Sequence, residues 1–247
     1  MKHRGTIYGA GALALAILAQ PVLAEQVRPF DEGAGDRSFA SFRKKLIAAL
    51  ERRDMKFVVA RAAPGIRLGF GGQDGRKWFR RYLVGSRALY GKRIKAGAAE
   101  YRGWLRWVLM NGGGFAGPGK SFYAPYQNAY EVRVPDCRKK PVPKTRVCQL
   151  DPFSRAYILG RGISLYARPS AQSKIVARLS YTLIELGKHV TRQTKDGRTV
   201  RLWSEVKLED GRRAWVRPIH YYSPTGYRAR FAKRKGRWRI ESFLAGD

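Results

Sequence analysis

Two cysteines, three histidines and eighteen carboxylates are the groups with which this 247-residue chain could do covalent, metal or acid–base chemistry. His3 sits at the extreme amino end. His189 and His220 stand in no HExxH spacing and beside no cysteine or carboxylate, so the pattern supports neither a zinc site nor a Ser-His-Asp arrangement. No metal and no cofactor is implied. A pair of acids such as Asp74 and Glu100 is able to share acid–base work in a pocket, but among 50 lysines and arginines most carboxylates are more simply surface ion-pair partners. The residue types assign no catalytic group and point to binding.

One segment has the letters of a nucleotide site. Gly114-Phe115-Ala116-Gly117-Pro118-Gly119-Lys120-Ser121 satisfies GxxxxGK[ST], which cradles phosphate only when a buried strand precedes it and a helix follows. Here the preceding Trp104–Met110 has helical spacing, and Pro125 stands where the following helix needs a backbone N–H. The glycines are expected to make a turn. A second pattern, arginines interleaved with Trp78, Phe79, Tyr82, Tyr101 and Trp104, resembles a stacking surface for single strands. At helical spacing, however, the rings fall on one side and the arginines on the other, as a core face and a solvated face do. A nucleic-acid partner is therefore not expected.

The elements that position these groups follow from periodicity. Phe39, Phe42, Leu46, Ala49 and Leu50 recur at three and four residues, with Asp36 or Ser38 placed to cap the helix start. Arg52-Arg53-Asp54 breaks that face, and Phe57–Ala60 predicts a second short helix. Ile66, Leu68 and Phe70 alternate as a strand that Gly71-Gly72 ends, and two more amphipathic helices follow around Trp78–Leu83 and Tyr101–Val108. Ser121–Tyr126 and Tyr130–Val134 read as extended pieces. From Tyr157 onward the period is two: Ile163, Leu165 and Ala167 point one way, while Ser164, Tyr166 and Arg168 point the other. Asp210-Gly211 predicts one hairpin. Lys235-Gly236 predicts a second, between Tyr227–Ala232 and Trp238–Leu244.

At the amino end, Lys2 and Arg4 precede an apolar run from Ala10 to Ala19 and then Pro21-Val22-Leu23-Ala24, the layout of a secretory signal cut after Ala24. The run falls short of the ~20 apolar residues that span a bilayer, and no later segment reaches that length. A periplasmic or secreted location is expected. In that oxidising setting Cys137 and Cys148 are expected to close one disulfide around the polar loop between them. The formal charge of +32 is spread along the chain and predicts long-range attraction to anionic surface polymers, weakened by salt.

Several spaced segments resemble the bacterial SH3 (Src homology 3) domain, a small β-barrel. They are Leu165-Tyr166-Ala167-Arg168-Pro169-Ser170, Lys174-Ile175-Val176-Ala177-Arg178-Leu179, and Asp210-Gly211 leading to Ala214-Trp215-Val216. The pattern departs from the usual one at Ala214, where glycine is common, and in the longer polar segment Gly187–Arg201. The ending Trp238-Arg239-Ile240-Glu241-Ser242-Phe243-Leu244-Ala245-Gly246-Asp247 is similar to that of exported bacterial proteins carrying this domain. The leading helices and closing hairpin also resemble, more distantly, the nuclear-transport-factor-like cone fold.

Together these readings imply an α+β protein organised as a signal at 1-24, an α+β domain from 25-152 plus 223-247, and an inserted SH3-like barrel at 153-222. The resemblance implies a non-enzymatic envelope protein that docks a peptidoglycan peptide or a partner protein. Tyr166, Tyr181, Trp203 and Tyr221 are the expected contact aromatics, and Trp215 is expected to fill the barrel. The alternative is a small hydrolase or isomerase using a pocket in the α+β domain, with Asp74, Glu100 and tyrosines around it.

Overall fold

The structure, a computed structural model, describes residues 25–85, 95–117, 120–195 and 197–246, so the expected signal at 1–24 lies outside the described residues. Its class is α+β. Helix α1 (Arg37–Glu51) starts where expected, with the Asp36 carboxylate accepting from the Phe39 N–H at 2.9 Å. Helix α2 (Met55–Ala60) is capped in the same way by Asp54, which accepts from Phe57 N–H at 2.9 Å. Strand β1 (Ala62–Arg67) begins earlier than the Ile66–Phe70 alternation predicts. Helices α3 (Arg76–Val84) and α4 (Lys95–Met110) follow.

The glycine-rich segment is a hairpin, β2 (Gly114–Ala116) paired antiparallel with β3 (Ser121–Ala124), so it offers phosphate no helix start; Pro118 and Gly119 lie outside the described residues. The expectation of extended chain holds for Ser121–Ala124 in β3 but is corrected for Tyr130–Val134: Tyr126–Arg133 is helix α5, with Pro125 in the N-cap position. Aromatic and β-branched side chains there suggest a strand, but helical spacing is what brings Tyr126 and Tyr130 into one apolar cluster. A short helix α6 (Arg146–Gln149) comes next, tied to the end of α5 by the Cys137–Cys148 disulfide.

Strands β4 (Arg155–Ile158), β5 (Ile163–Tyr166), β6 (Ile175–Leu179), β7 (Leu183–Gln193), β8 (Thr199–Lys207), β9 (Arg213–Val216) and β10 (Tyr221–Tyr222) form one antiparallel sheet in the order β10-β4-β7-β8-β9-β5-β6. The second expected hairpin, β11 (Arg228–Arg234) and β12 (Arg237–Leu244), turns at Lys235 and Gly236. Both have positive φ (49° and 71°), the geometry for which glycine is suited. This hairpin joins the other sheet, ordered β1-β12-β11-β3-β2. The five-stranded sheet thus takes strands from both sides of the segment that forms the seven-stranded one.

Each sheet has its own apolar interior. In the first, Phe39 from α1 lies with its ring centroid 4.1 Å from Phe122, 5.0 Å from Trp238 and 5.5 Å from Phe231. Leu46, Val58, Phe79, Leu105 and Phe243, all fully buried, extend that cluster through the four leading helices. In the second, Ile158, Leu165, Ile184, Val206, Ala214 and Val216 form one cluster. Strands β4 and β5 stand four places apart in that sheet, about 19 Å if flat at ~4.8 Å per strand, so sharing a cluster requires the sheet to curl.

A third cluster lies where the two sheets meet. It contains Val27, Tyr126, Val147, Leu150, Tyr157, Leu183 and Tyr222, and Trp107 of α4 stacks on Tyr222 at 5.5 Å. Within it Arg155 donates to Glu131 at 2.5 Å and to the Val147 carbonyl at 2.6 Å, while the Tyr157 hydroxyl donates to the other Glu131 oxygen. The strap Glu25–Asp31 crosses the same junction. Val27 N–H donates to Tyr181 and Glu32 N–H to Gly113, which couples the strap to one sheet and then the other.

Because the Arg155 and Glu131 side chains are only 10% and 16% exposed, removing one leaves the other charge buried and unmatched. Glu131→Ala is expected to destabilise the fold by about 3–5 kcal/mol, measured by urea unfolding. The double change Glu131→Leu/Arg155→Met is expected to recover most of that loss, and a double variant no better than the single would show that the pair does not act as a unit.

Candidate aromatic binding site

Strands β5, β8 and β9 place three aromatic rings on one face of the seven-stranded sheet. Tyr166 pairs in register with Trp215, and Trp215 with Glu205, so these side chains share a face that also carries Trp203, two residues from Glu205 on β8. The opposite face carries Leu165, Ser204, Val206, Ala214 and Val216, all buried. The expectation that Trp215 fills the interior is therefore corrected. Its neighbours Ala214 and Val216 take the inward positions, and the alternation of the strand turns Trp215 outward.

Tyr166 and Trp203 meet edge to face, with centroids 5.5 Å apart and planes at 81°. Arg217 places its guanidinium carbon 5.9 Å from the Trp203 ring centre. Glu205 lies at the base of this face. Its side chain is only 4% exposed, and it accepts from Arg213 at 2.9 Å. A Cβ on Gly187 would come within 3.2 Å of the Glu205 carboxyl carbon, so the small residue leaves the space the carboxylate occupies. Glu205 escapes sequence reasoning because a lone acid in a basic strand has no spacing signal. Its register opposite Trp215 is the only pointer, and that requires knowing the pairing.

The other two expected aromatics lie elsewhere. Tyr221 is buried, and its hydroxyl sits 2.7 Å from Ser204 Oγ, which in turn lies 2.9 Å from His189 Nδ1. The neutral imidazole can accept from the serine, and the serine from the tyrosine. Ser204 is fully buried within the sheet, so this relay ties the interior to the sheet rim. Tyr181 is half-buried with φ of 52°, its carbonyl accepting from Val27 N–H at 2.7 Å. It lines a cleft of about 340 Å³ with Phe30, Met110, Asn111, Tyr126 and Leu159, away from the Tyr166–Trp203 pair.

The carboxylates of the enzyme alternative have separate partners. Asp74 accepts from the Leu68 N–H at 2.8 Å in the β1–α3 loop, whereas Glu100 is exposed on α4 and pairs with Arg198 at 3.5 Å. Among the described residues, buried phenylalanine, leucine and isoleucine side chains pack between the leading helices and the first sheet. Among the described residues no group of three or more histidines, cysteines or acids is arranged to hold a metal, and no helix is long and apolar enough to cross a membrane. No family model, curated protein or solved structure matches the chain.

The histidines report on the sheet. Burial, and then the nearby Arg201 and Arg217 respectively, hold His189 and His220 below the usual histidine value. A depressed basic group binds its proton more readily once unfolded. Stability is therefore whole above about pH 6.5 and declines as pH falls through the lower folded values. The midpoint of urea unfolding is expected to drop across that window and to drop less in His189→Gln/His220→Gln. A double variant as pH-sensitive as the parent would assign the effect to the carboxylates instead.

Proposed function

We propose that this is an exported, non-enzymatic envelope protein whose seven-stranded sheet is an SH3-like barrel that docks a peptidoglycan peptide. The observation that carries the reading is the outward Tyr166, Trp203 and Trp215 face with Glu205 beneath it and Arg213 beside it. Rigid amphipathic rings give contact area at little cost in side-chain freedom, and ring faces attract ammonium groups. Arg213 and Arg217 at the rim supply donors for carboxylates. A short peptide bearing both amine and carboxylate groups, such as a wall stem peptide, matches that set. An envelope partner presenting a similar segment is the other occupant of the same face.

Export is supported by the Cys137–Cys148 disulfide, which belongs to an oxidising compartment, together with the amino-terminal pattern. The excess of basic residues raises the local concentration of the protein at an anionic envelope without setting its specificity.

The test is co-sedimentation of the protein, lacking residues 1–24, with purified peptidoglycan across a salt series, beside Tyr166→Ala/Trp203→Ala. Binding by the parent is expected to persist at high salt, and the variant is expected to lose it by about tenfold or more, the scale of a disrupted aromatic anchor. Retention that disappears with salt alike in both proteins would remove the aromatic face from the account.

A further inference from the structure

The five-stranded sheet carries a second recess, unrelated to the aromatic face. Strand β1 pairs with β12 at Ala62 opposite Ile240 and again at Arg67 opposite Ser242, so five steps along β1 match two along β12. The surplus chain, Ala63-Pro64-Gly65, bows away from its partner. Pro64 has no N–H with which to continue the ladder there. Between this bow, the start of α3 and the β11–β12 turn lies a groove of about 1020 Å³.

Its walls are basic. Arg76 from α3 and Arg234, Lys235, Arg237 and Arg239 from the hairpin line it with their charges, against one acid, Glu241, while Lys233 at its edge turns its ammonium to the other face, over the Trp238 ring. That acid is already held bidentate by Arg234, with both contacts at 2.9 Å. Arg76 is fixed by two hydrogen bonds to the Ala62 carbonyl, at 3.0 and 2.7 Å, and Arg239 donates to the Ala60 carbonyl at 2.5 Å. These bonds orient the guanidinium groups without neutralising them. Burial, and then the charges of Arg76, Arg61 and Arg237, lower the Arg239 pKa, which shows like charges held close. Helix α3 opens beside them with Arg76 and Lys77 in its first turn and no side-chain cap at Gly75. Cations at the positive end of a helix are disfavoured unless an anion stands there.

We propose that this groove binds a ligand carrying two or three closely spaced phosphoryl groups. Five cations against one acid leave +4, and a phosphoryl group brings about −1.5 to −2 at neutral pH, so two or three phosphoryl groups balance the site where one does not. Planar guanidinium donors match phosphate oxygens in pairs. The concave shape suits a compact or linear oligophosphate and not a flat bilayer.

The probes are inorganic tripolyphosphate, inorganic phosphate, and vesicles of phosphatidylcholine doped with phosphatidic acid, titrated against the full mature chain by calorimetry at moderate salt. Tripolyphosphate is expected to bind at one site and to weaken about tenfold or more in Lys235→Asn/Arg237→Gln. Asparagine is used at Lys235 because it tolerates that residue's positive φ. Arg76→Gln, remote from the turn, is expected to weaken binding too; the turn variant is expected to melt unchanged, whereas Arg76→Gln also gives up its bonds to the Ala62 carbonyl and melts somewhat lower. Arg192→Gln/Arg201→Gln removes two charges from the β7–β8 ribbon and is expected to leave affinity unchanged. Equal weakening by the ribbon variant would overturn the proposal in favour of diffuse charge. Phosphate binding as tightly as tripolyphosphate, or attachment to vesicles alone, would overturn it as well.

Discussion

The fold depends on a charged pair that water scarcely reaches. Arg155 on β4 and Glu131 on α5 belong to different parts of the molecule, and desolvating both is costly unless the geometry answers it. Here it does. The Tyr157 hydroxyl takes the second carboxylate oxygen, and the Val147 carbonyl near the disulfide takes another guanidinium N–H. One network therefore joins α5, α6 and the seven-stranded sheet. Tyr157 cannot easily ionise in this setting, since burial and the adjacent Glu131 charge push its pKa well up, and it serves as a donor throughout the ordinary pH range. Such a pair adds little stability relative to a well-packed apolar substitute, but it admits few alternative alignments of the parts it joins.

Around that junction the aromatic residues do the packing. Trp107 stacked on Tyr222, and Tyr130 edge-on to Tyr157 at 6.3 Å, close the seam from both sides. Phe39 anchors the helical side against the five-stranded sheet, and Trp238 reaches back to it with its indole N–H donating to Ser38 Oγ at 2.9 Å. The carboxyl-terminal hairpin is thereby fixed to the first helix across nearly the whole length of the chain. The seven-stranded sheet sits between these contacts in sequence but outside them in space, and the strap at residues 25–31 bonds to both sheets.

Much of this was legible in the sequence, for reasons that differ by element. Helix α1 carries its cap in Asp36, and the hairpins carry Asp210-Gly211 and Lys235-Gly236, so local chemistry alone marks them, whereas Asp54 reads as a break after α1 and only the structure shows it capping α2. The disulfide followed from there being only two cysteines. Helix α5 was misread because Tyr130, Val132 and Val134 have strand propensity, and only the junction cluster rewards the helical alternative. Trp215 was turned the wrong way because tryptophan suggests burial, although its neighbours Ala214 and Val216 are the smaller residues that fit the interior. Of the four expected aromatics the structure brings two, Tyr166 and Trp203, into contact. Tyr181 and Tyr221 are placed by the register of other strands, which no local pattern states.

The groove on the other sheet was illegible for a stronger reason. Its cations come from Arg76 and from residues 234–239, and their meeting depends on a parallel pairing between the first and last strands of one sheet. In the sequence they are only part of a general excess of positive charge. The distinction matters physically, because diffuse charge raises encounter rates and is screened within about 8–10 Å at physiological salt. Guanidinium groups pinned to backbone carbonyls are instead preorganised and lose little freedom on meeting an anion. The pinning of Arg76 to Ala62 and of Arg239 to Ala60 is what distinguishes the proposed recess from a surface that merely attracts anions. As proposed, the aromatic face would answer to apolar contact and the groove to charge, so that each surface could be occupied under conditions that leave the other empty.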